Sequence, residues 1–520
     1  MADPGHIRWD RYCRFLSIDS GTGLSVDVSL TGMPEAFVET MTAATSSALA
    51  AMASLEAGSL ANADEGRAVG HYWLRAPDLA PSAELGQEIR SSWQALSGFA
   101  AQARQDFDEF VHIGIGGSAA GPLMLYEAWG DFTTGCRGRF LDNADPDGVL
   151  AVLDRPAARL ARTLVSVVSK SGITPTPREV VRAAERAYDA AGLDFTRHAV
   201  ATTTCGSALA KLAAGEGWLA TFPMWDWVGG RTSVTSMAGL VPAALMGADV
   251  AAFLAGAAAM DTATRAGSAW ENPAAMLALA WFWLGGGCGD RAMVLLPYRD
   301  RLTVLVRWVQ QLAMESLGKR LDRAGREVRQ GLTVYGNKGV SDQHAYIQQL
   351  RDGRDDFFAT LVGVHTDRSP GREGTLSDHL FGGLLGTLTA FADRDRPVAA
   401  ITLPDRRERS LGALVALFER AVGLYAELID VNAYHQPGVD KHTALPVLAL
   451  QDDLIRALTG QGAPMTVTEL ADAAGCADRP DVVHRLLEHL VLAHPELVAV
   501  TGGREPGCAS YFVPEERAHA

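Results

Sequence analysis

The 520-residue chain has no paired cysteines at metal or redox spacing: Cys13, Cys136, Cys205, Cys288, Cys476 and Cys508 are widely scattered, with no CxxC. A disulfide framework and a zinc site are therefore not expected, and reduced thiols of a cytoplasmic protein are the simpler reading. The first twenty residues carry Asp3, Arg8, Asp10, Arg11 and Arg14 and have no apolar run, so no secretory signal is expected. Long uninterrupted hydrophobic stretches are missing as well. The best candidate, 236–258, is rich in Ala and Gly but broken by Pro242 and Asp249, which suits a buried core helix and not a membrane span. Positive charge is in deficit, with a formal net charge of −15. Nucleic acids and membrane surfaces need a basic face, so neither is an expected partner. An anionic substrate would gain nothing from the overall field either. Any phosphate must be held by local donors.

What is present is ordinary for a globular enzyme: 48% hydrophobic and 21% charged residues. The length exceeds what one core supports, so two or three domains are expected. Apolar, β-rich runs at 110–115, 163–169, 198–204, 292–298, 332–336, 357–364 and 398–404 read as buried strands. Between most of them lie helical patterns, such as 177–191 and 302–316. That alternation predicts an α/β protein with parallel sheets flanked by helices. The expected division is a helical and irregular segment over 1–99, two α/β domains over 100–265 and 266–444, and a small module over 445–520. In the last, three helical patterns precede a β-hairpin, a winged-helix-like order. Acidic residues outnumber basic ones there, so it reads as a packing or interface module and not as a DNA reader.

Two segments, VHIGIGGSAAGP (111–122) and QQLAMESLGK (310–319), carry most of the chemistry. In VHIGIGGSAAGP (111–122), a buried strand runs into Gly116, Gly117 and Ser118 and then a helix start. Such a turn exposes backbone N–H groups and a hydroxyl to an anion, although glycines at that position also serve close packing alone. In VVSKSGITPTPREVV, Ser169, Ser171 and Thr174 place three hydroxyls beside Lys170, just before Thr176, which reads as the N-cap of a helix with Pro177 at its first position. Two such loops on neighbouring strands could converge on one phosphate dianion. Further on, MWDWVGGRTSVTS puts Arg231 between a glycine pair and a hydroxyl-rich turn, a better place for reaching a ligand than an open surface. Trp225 and Trp227 read as core.

In QQLAMESLGK (310–319), Gln311 and Glu315 stand four residues apart on the predicted helix and leave the same face. Leu305, Trp308, Val309 and Leu312 form the buried side, which leaves Glu315 a half-buried position suited to a general base. His344 in SDQHAYIQQL and His435, Gln436 and Lys441 in VNAYHQPGVDKHTA complete the candidates. Spacing alone does not lift a single histidine above a structural role. A phosphate cradle together with a helix-mounted carboxylate is what a sugar-phosphate isomerase requires.

Taken together, IGIGGSAAGP, VVSKSGITPT, WDWVGGRTSVTS, LPYRDRL…QQLAMESLGK, GVSDQHAYIQQL and NAYHQPGVD resemble the phosphoglucose isomerase family, in its bacterial style. They fall in the family's order over about 111–440. The resemblance implies two sugar-isomerase (SIS) domains and cofactor-free, metal-free interconversion of glucose 6-phosphate and fructose 6-phosphate in glycolysis and gluconeogenesis. It implies a phosphate site of Gly117, Ser118, Ser169, Lys170, Ser171 and Thr174. Glu315 would move the proton between C1 and C2, Arg231 would stabilise the enediolate, and Gln311 and Gln436 would contact the sugar. His344 would assist ring opening from the partner subunit of a homodimer.

Two departures stand out. Leu317 replaces the asparagine of the family's MESNGK pattern, and Thr443 stands where the GVE-x-x-K pattern has a functional lysine. Lys441 lies two residues earlier and is the candidate replacement, provided the backbone shifts there. Two other activities remain open from sequence: a dual-specificity phosphoglucose/phosphomannose isomerase, and a non-catalytic sugar-phosphate regulator. A regulator has no need of Glu315, Arg231 and His344.

Overall fold

The computed structural model describes residues 4–366, 374–439 and 445–514. Contacts divide the chain into two units, Met1–Gln436 and Pro437–Ala520. Lys441 and Thr443 lie outside the described residues.

In the larger unit, the N-terminal helix Pro4–Phe15 runs into a hairpin of β1 (Leu16–Ile18) and β2 (Ser25–Asp27). A first sheet follows, built from β3 (Glu109–Ile113), β4 (Arg137–Leu141), β5 (Thr163–Val168), β6 (Ala199–Thr203) and β7 (Ala220–Pro223), all parallel in the order β4-β3-β5-β6-β7. The second sheet takes β8 (Ala292–Pro297), β11 (Val334–Tyr335), β12 (Phe357–Val364) and β13 (Val398–Leu403) in parallel. A separate antiparallel pair, β9 (Lys319–Leu321) and β10 (Glu327–Gln330), lies between β8 and β11 in sequence.

The N-terminal segment departs from the helical and irregular reading. Its β2 pairs antiparallel with β13, so the second sheet runs β1-β2-β13-β12-β8-β11. The strands are short, and only the middle residue of β2, Val26, is fully enclosed, too little pattern to announce a strand in sequence. Strands β4 and β7 were also unannounced. In β4, RGRFL exposes its first residue and buries only Leu141, the signature of an edge strand and not of a buried run.

Alternation along the central strands explains where the core sits. Phe110, Leu164 and Val200 of the first sheet and Met293, Leu295, Phe358 and Val362 of the second all join one large apolar cluster. Their neighbours point away, with Val111, Ile113, Val165 and Val167 in one outer cluster and Val294, Leu296, Phe357 and Leu361 in another. The two sheets therefore share a central core. Two helices within it, Val250–Ala263 and Glu408–Leu428, approach closely at glycines: a Cβ on Gly256 would lie 1.8 Å from the Arg409 carbonyl oxygen, and one on Gly412 would lie 2.0 Å from that of Phe253. The apolar stretch 236–258 lies in two helices, Met237–Leu245 and Val250–Ala263, separated at Asp249, which caps the second. Among the described residues no helix is long and apolar enough to cross a membrane.

The smaller unit runs helix Leu445–Gln461, β14 (Met465–Thr466), helices Val467–Ala473 and Pro480–Ala493, then β15 (Ala499–Thr501) and β16 (Ser510–Phe512). Its sheet is antiparallel in the order β14-β16-β15. Thr466 and Glu469 form a reciprocal capping box, and Leu454, Leu470, Leu487, Leu490 and Tyr511 fill its own core. One short strand beyond the expected hairpin, β14, completes the sheet.

Candidate active site

Strands β3 and β5 are parallel neighbours, so the loops at their C-terminal ends lie side by side. The first loop turns at Gly116, whose φ of +59° belongs to the left-handed region, and helix Gly117–Trp129 begins at once. Gly117 is required by proximity: a Cβ there would sit 1.9 Å from the Gly230 carbonyl oxygen. Both readings of the glycine pair thus hold, one residue making the turn and the other admitting a second segment. Beneath the helix start, His112 Nε2 donates to the Ser118 carbonyl at 2.7 Å, and burial pushes the His112 pKa down to about 4, which keeps that ring neutral. Ser118 is half-buried.

The second loop is ordered by its own hydroxyls. Ser169 Oγ accepts from the Gly172 N–H at 3.1 Å and Ser171 Oγ from the Ile173 N–H at 3.3 Å. The helix begins two residues earlier than read from sequence: Thr174 is the N-cap, Pro175 occupies the first position, and Thr176 is already helical. Proline is equally acceptable at Pro175 and Pro177, and the TPTP repeat offers both registers. The earlier start leaves the Thr174 side chain without a capping bond, beside the first N–H groups of the helix. Lys170 Nζ donates to the carbonyls of Asp226 (2.7 Å) and Val228 (3.0 Å), tying this loop to the segment that leads to Arg231. Burial first, and Arg67 second, lower the Lys170 pKa to about 8.

Arg231 lies in the 3-10 segment Gly230–Thr235 and is 4% exposed. Its Nη1 donates to the Ala433 carbonyl at 3.1 Å, and its Nη2 to the His435 carbonyl and to Gln436 Oε1, each at 3.2 Å. The same Nη2 stands 3.6 Å from Glu315 Oε1. Burial pulls the Arg231 pKa down and Glu315 opposes it; a guanidinium stays charged regardless. Trp225 and Trp227 are half-buried and stacked on each other at 5.1 Å, so they are a partly exposed pair and not core.

Glu315 closes a π-turn, Gln311–Glu315, that continues helix Thr303–Gln310. Gln311 Nε2 donates to Glu315 Oε2 at 3.0 Å, so the four-residue spacing does bring the pair together even though the turn is wider than an α-turn. Leu305, Trp308, Val309 and Leu312 are buried as expected, and Glu315 is half-buried. Leu317, the departure from the asparagine pattern, is fully enclosed in the central core.

His344 is exposed and ends the 3-10 turn Ser341–His344, and its ring makes no hydrogen bond among the described residues. That turn is pinned by Asp342, which accepts from the Lys338 N–H at 3.1 Å and from Tyr346 Oη. Within one chain, then, Glu315, Arg231, Gln311 and Gln436 are linked by contacts, and His344 is not among them. Sequence reasoning missed Lys319, whose Nζ donates to the Glu315 carbonyl at 2.6 Å, and the backbone acceptors of Ala433 and His435. The lysine lay in view, four residues after Glu315. The acceptors carry no side-chain signal.

The phosphoglucose isomerase family model matches residues 35–368. A glucose-6-phosphate isomerase of Synechococcus sp. (strain JA-3-3Ab) is 49% identical over 510 residues, covering 95% of this chain and 96% of the relative. That of Geobacter sulfurreducens is 47% identical over 526 residues, covering 98% and 99%. Among solved structures, a glucose-6-phosphate isomerase from Chlamydia trachomatis superposes with a TM-score of 0.78 at 27% identity, covering 84% of this chain and 90% of that one.

Proposed function

Since the chain belongs to the phosphoglucose isomerase family and interconverts glucose 6-phosphate and fructose 6-phosphate, we propose that Glu315 is the base that carries the proton between C2 and C1. The observation that supports it most is the carboxylate's setting, between the Gln311 amide at 3.0 Å and the buried Arg231 guanidinium at 3.6 Å. Proton abstraction next to a carbonyl needs one positioned base and one cation facing the oxyanion. Glu315 takes the C2 proton of the open-chain aldose. The C–H electron pair becomes the C1–C2 double bond, and the carbonyl electrons move to O1, opposite Arg231. The O2 proton passes to O1, Glu315 returns its proton to C1, and O2 becomes the ketose carbonyl. Arg231 supplies the positive charge, so this reading invokes no metal and no cofactor.

The phosphate is assigned to Gly117, Ser118, Ser169, Lys170, Ser171 and Thr174, on two loops that follow adjacent parallel strands. Gln311 and Gln436 are assigned to the sugar. A homodimer in which each site receives His344 from the partner copy fits the exposure of that residue and the pinned turn that carries it. A cytoplasmic location suits six scattered thiols. Glu315→Gln keeps the shape of the side chain and removes its proton affinity, so kcat should fall by roughly 10²–10⁴ with KM little changed. Exchange of the C2 proton with solvent at the wild-type rate in that variant would rule the base assignment out.

A further inference from the structure

Of the 46 basic residues in the chain, only Lys170, Lys211, Lys319, Lys338 and Lys441 are lysines. Arginine supplies nearly all its positive charge, so a lysine in the interior is conspicuous. Lys319 is 5% exposed and opens β9 just past the Glu315 turn. Its ammonium donates to the Glu315 main-chain carbonyl at 2.6 Å, one of the acceptors a helix end leaves unpaired. Among the described residues it has no carboxylate within ion-pairing distance, unlike Lys338, which pairs with Asp300 at 2.9 Å. The charges that face it are Arg231 from the 230–235 segment, Glu315 from the π-turn and Asp64 from the 63–65 turn. His435, 3.8 Å from Asp64, faces it from the segment that holds Arg231.

We propose that Lys319 is a positioning residue for Glu315 and the group whose protonation balances the charge of the site when an anionic sugar phosphate binds. This rests on Glu315 as the base. The tether acts through the backbone: a bond to the Glu315 carbonyl fixes the last residue of the π-turn, and with it the direction of the carboxylate. The protonation follows from burial next to a permanent cation. Desolvation first, then Arg231, lower the Lys319 pKa to about 7, so near neutrality the empty site holds a mixture of ammonium and amine. A bound dianion favours the ammonium and raises that pKa. The protonated form then binds more tightly, so affinity is full below about pH 7 and falls as pH rises above it. An arginine would meet the tether requirement but could not shed its charge.

The test compares the wild type with Lys319→Met and Lys319→Arg, using sorbitol 6-phosphate, which has the phosphate and polyol but no carbonyl, as the probe. Calorimetry at pH 7.5 in two buffers of different protonation enthalpy gives the protons taken up per site. Uptake should drop by about half a proton in both variants; the share due to Lys170 and His435 persists in all three proteins. The wild-type KM should rise above about pH 7, and in both variants that rise should shrink to the part that Lys170, with its pKa near 8, contributes. Turnover should fall at least about tenfold in Lys319→Met and be largely restored in Lys319→Arg. Wild-type proton uptake and pH dependence in a folded variant, or undiminished turnover in Lys319→Met, would overturn the proposal. If neither variant folds, lysine-selective 13Cε labelling of the wild type replaces them. One of the five lysine signals should titrate near 7 and move upward with sorbitol 6-phosphate, and the absence of such a signal would overturn the proposal. Glu315→Gln is assayed alongside. If it is inactive while Lys319→Met is normal, the base assignment stands and this one falls; if it is active, both fall.

Discussion

The Arg231 guanidinium makes three hydrogen bonds to the 433–436 segment and still faces Glu315. Its orientation is thus set by two backbone carbonyls and the Gln436 amide oxygen, and at 3.6 Å the Glu315 carboxylate is free of a tight ion pair and available to a proton. Lys441 and Thr443 follow that segment in the sequence. In the family pattern that the sequence resembles, a lysine near the sugar ring would help to open it, and Thr443 has neither the charge nor the reach for that. Lys441→Ala is therefore expected to cut turnover on cyclic substrate at least about tenfold while Thr443→Ala is mild, on the scale of one positioned acid–base group. Unchanged steady-state kinetics in Lys441→Ala would leave Glu315, Arg231 and His344 as the working set.

Among elements, the pairing of helices Val250–Ala263 and Glu408–Leu428 combines apolar contact with buried charge. Gly256 and Gly412 bring the backbones together, and Asp261, on the first helix, accepts from Arg75 at 2.5 and 2.8 Å and from Arg420, on the second, at 2.8 Å. Arg75 also reaches Glu419, and Arg420 reaches Glu56. Burial opposes ionisation of Asp261, but Arg420 and Arg75 prevail and hold its pKa at about 2. A carboxylate with a depressed folded-state pKa stabilises above the unfolded value, and that share is lost as pH falls from about 4 towards 2. Asp261→Asn leaves two buried guanidinium groups without their shared carboxylate. It should cost about 3–5 kcal/mol at neutral pH, measured by denaturant unfolding. The difference from wild type should shrink in acid, and a cost under about 1 kcal/mol would mean that the network relaxes without it.

At the scale of the whole molecule, the exposed His344 and the half-buried Glu315 suit the proposed site completed by a second copy. Co-expression of Glu315→Gln with His344→Ala then yields mixed dimers with one doubly damaged site and one intact site. Random pairing should recover roughly a quarter of wild-type activity from two nearly inactive parents. No recovery, with mixed dimers shown to form, would mean that His344 acts within its own chain.

The sequence by itself determined what depends on near neighbours. Buried runs alternating with amphipathic ones specified parallel sheets. A strand ending in glycines specified the first loop, and spacing by four residues specified the Gln311–Glu315 pair. These are properties of segments under about twenty residues, where backbone geometry leaves few choices. The same locality limited the helix start at 174–177, because TPTP satisfies two registers equally. Only the tertiary structure decided contacts that close long loops. Arg231 meets Glu315, eighty-four positions away by residue number, and the 433–436 carbonyls lie more than two hundred positions away. The hairpin of β1 and β2 joins a strand near residue 400. Backbone acceptors and short edge strands leave no mark in side-chain pattern. Their partners are selected by the shared core that brings the two sheets together, and that core exists only once the chain has folded.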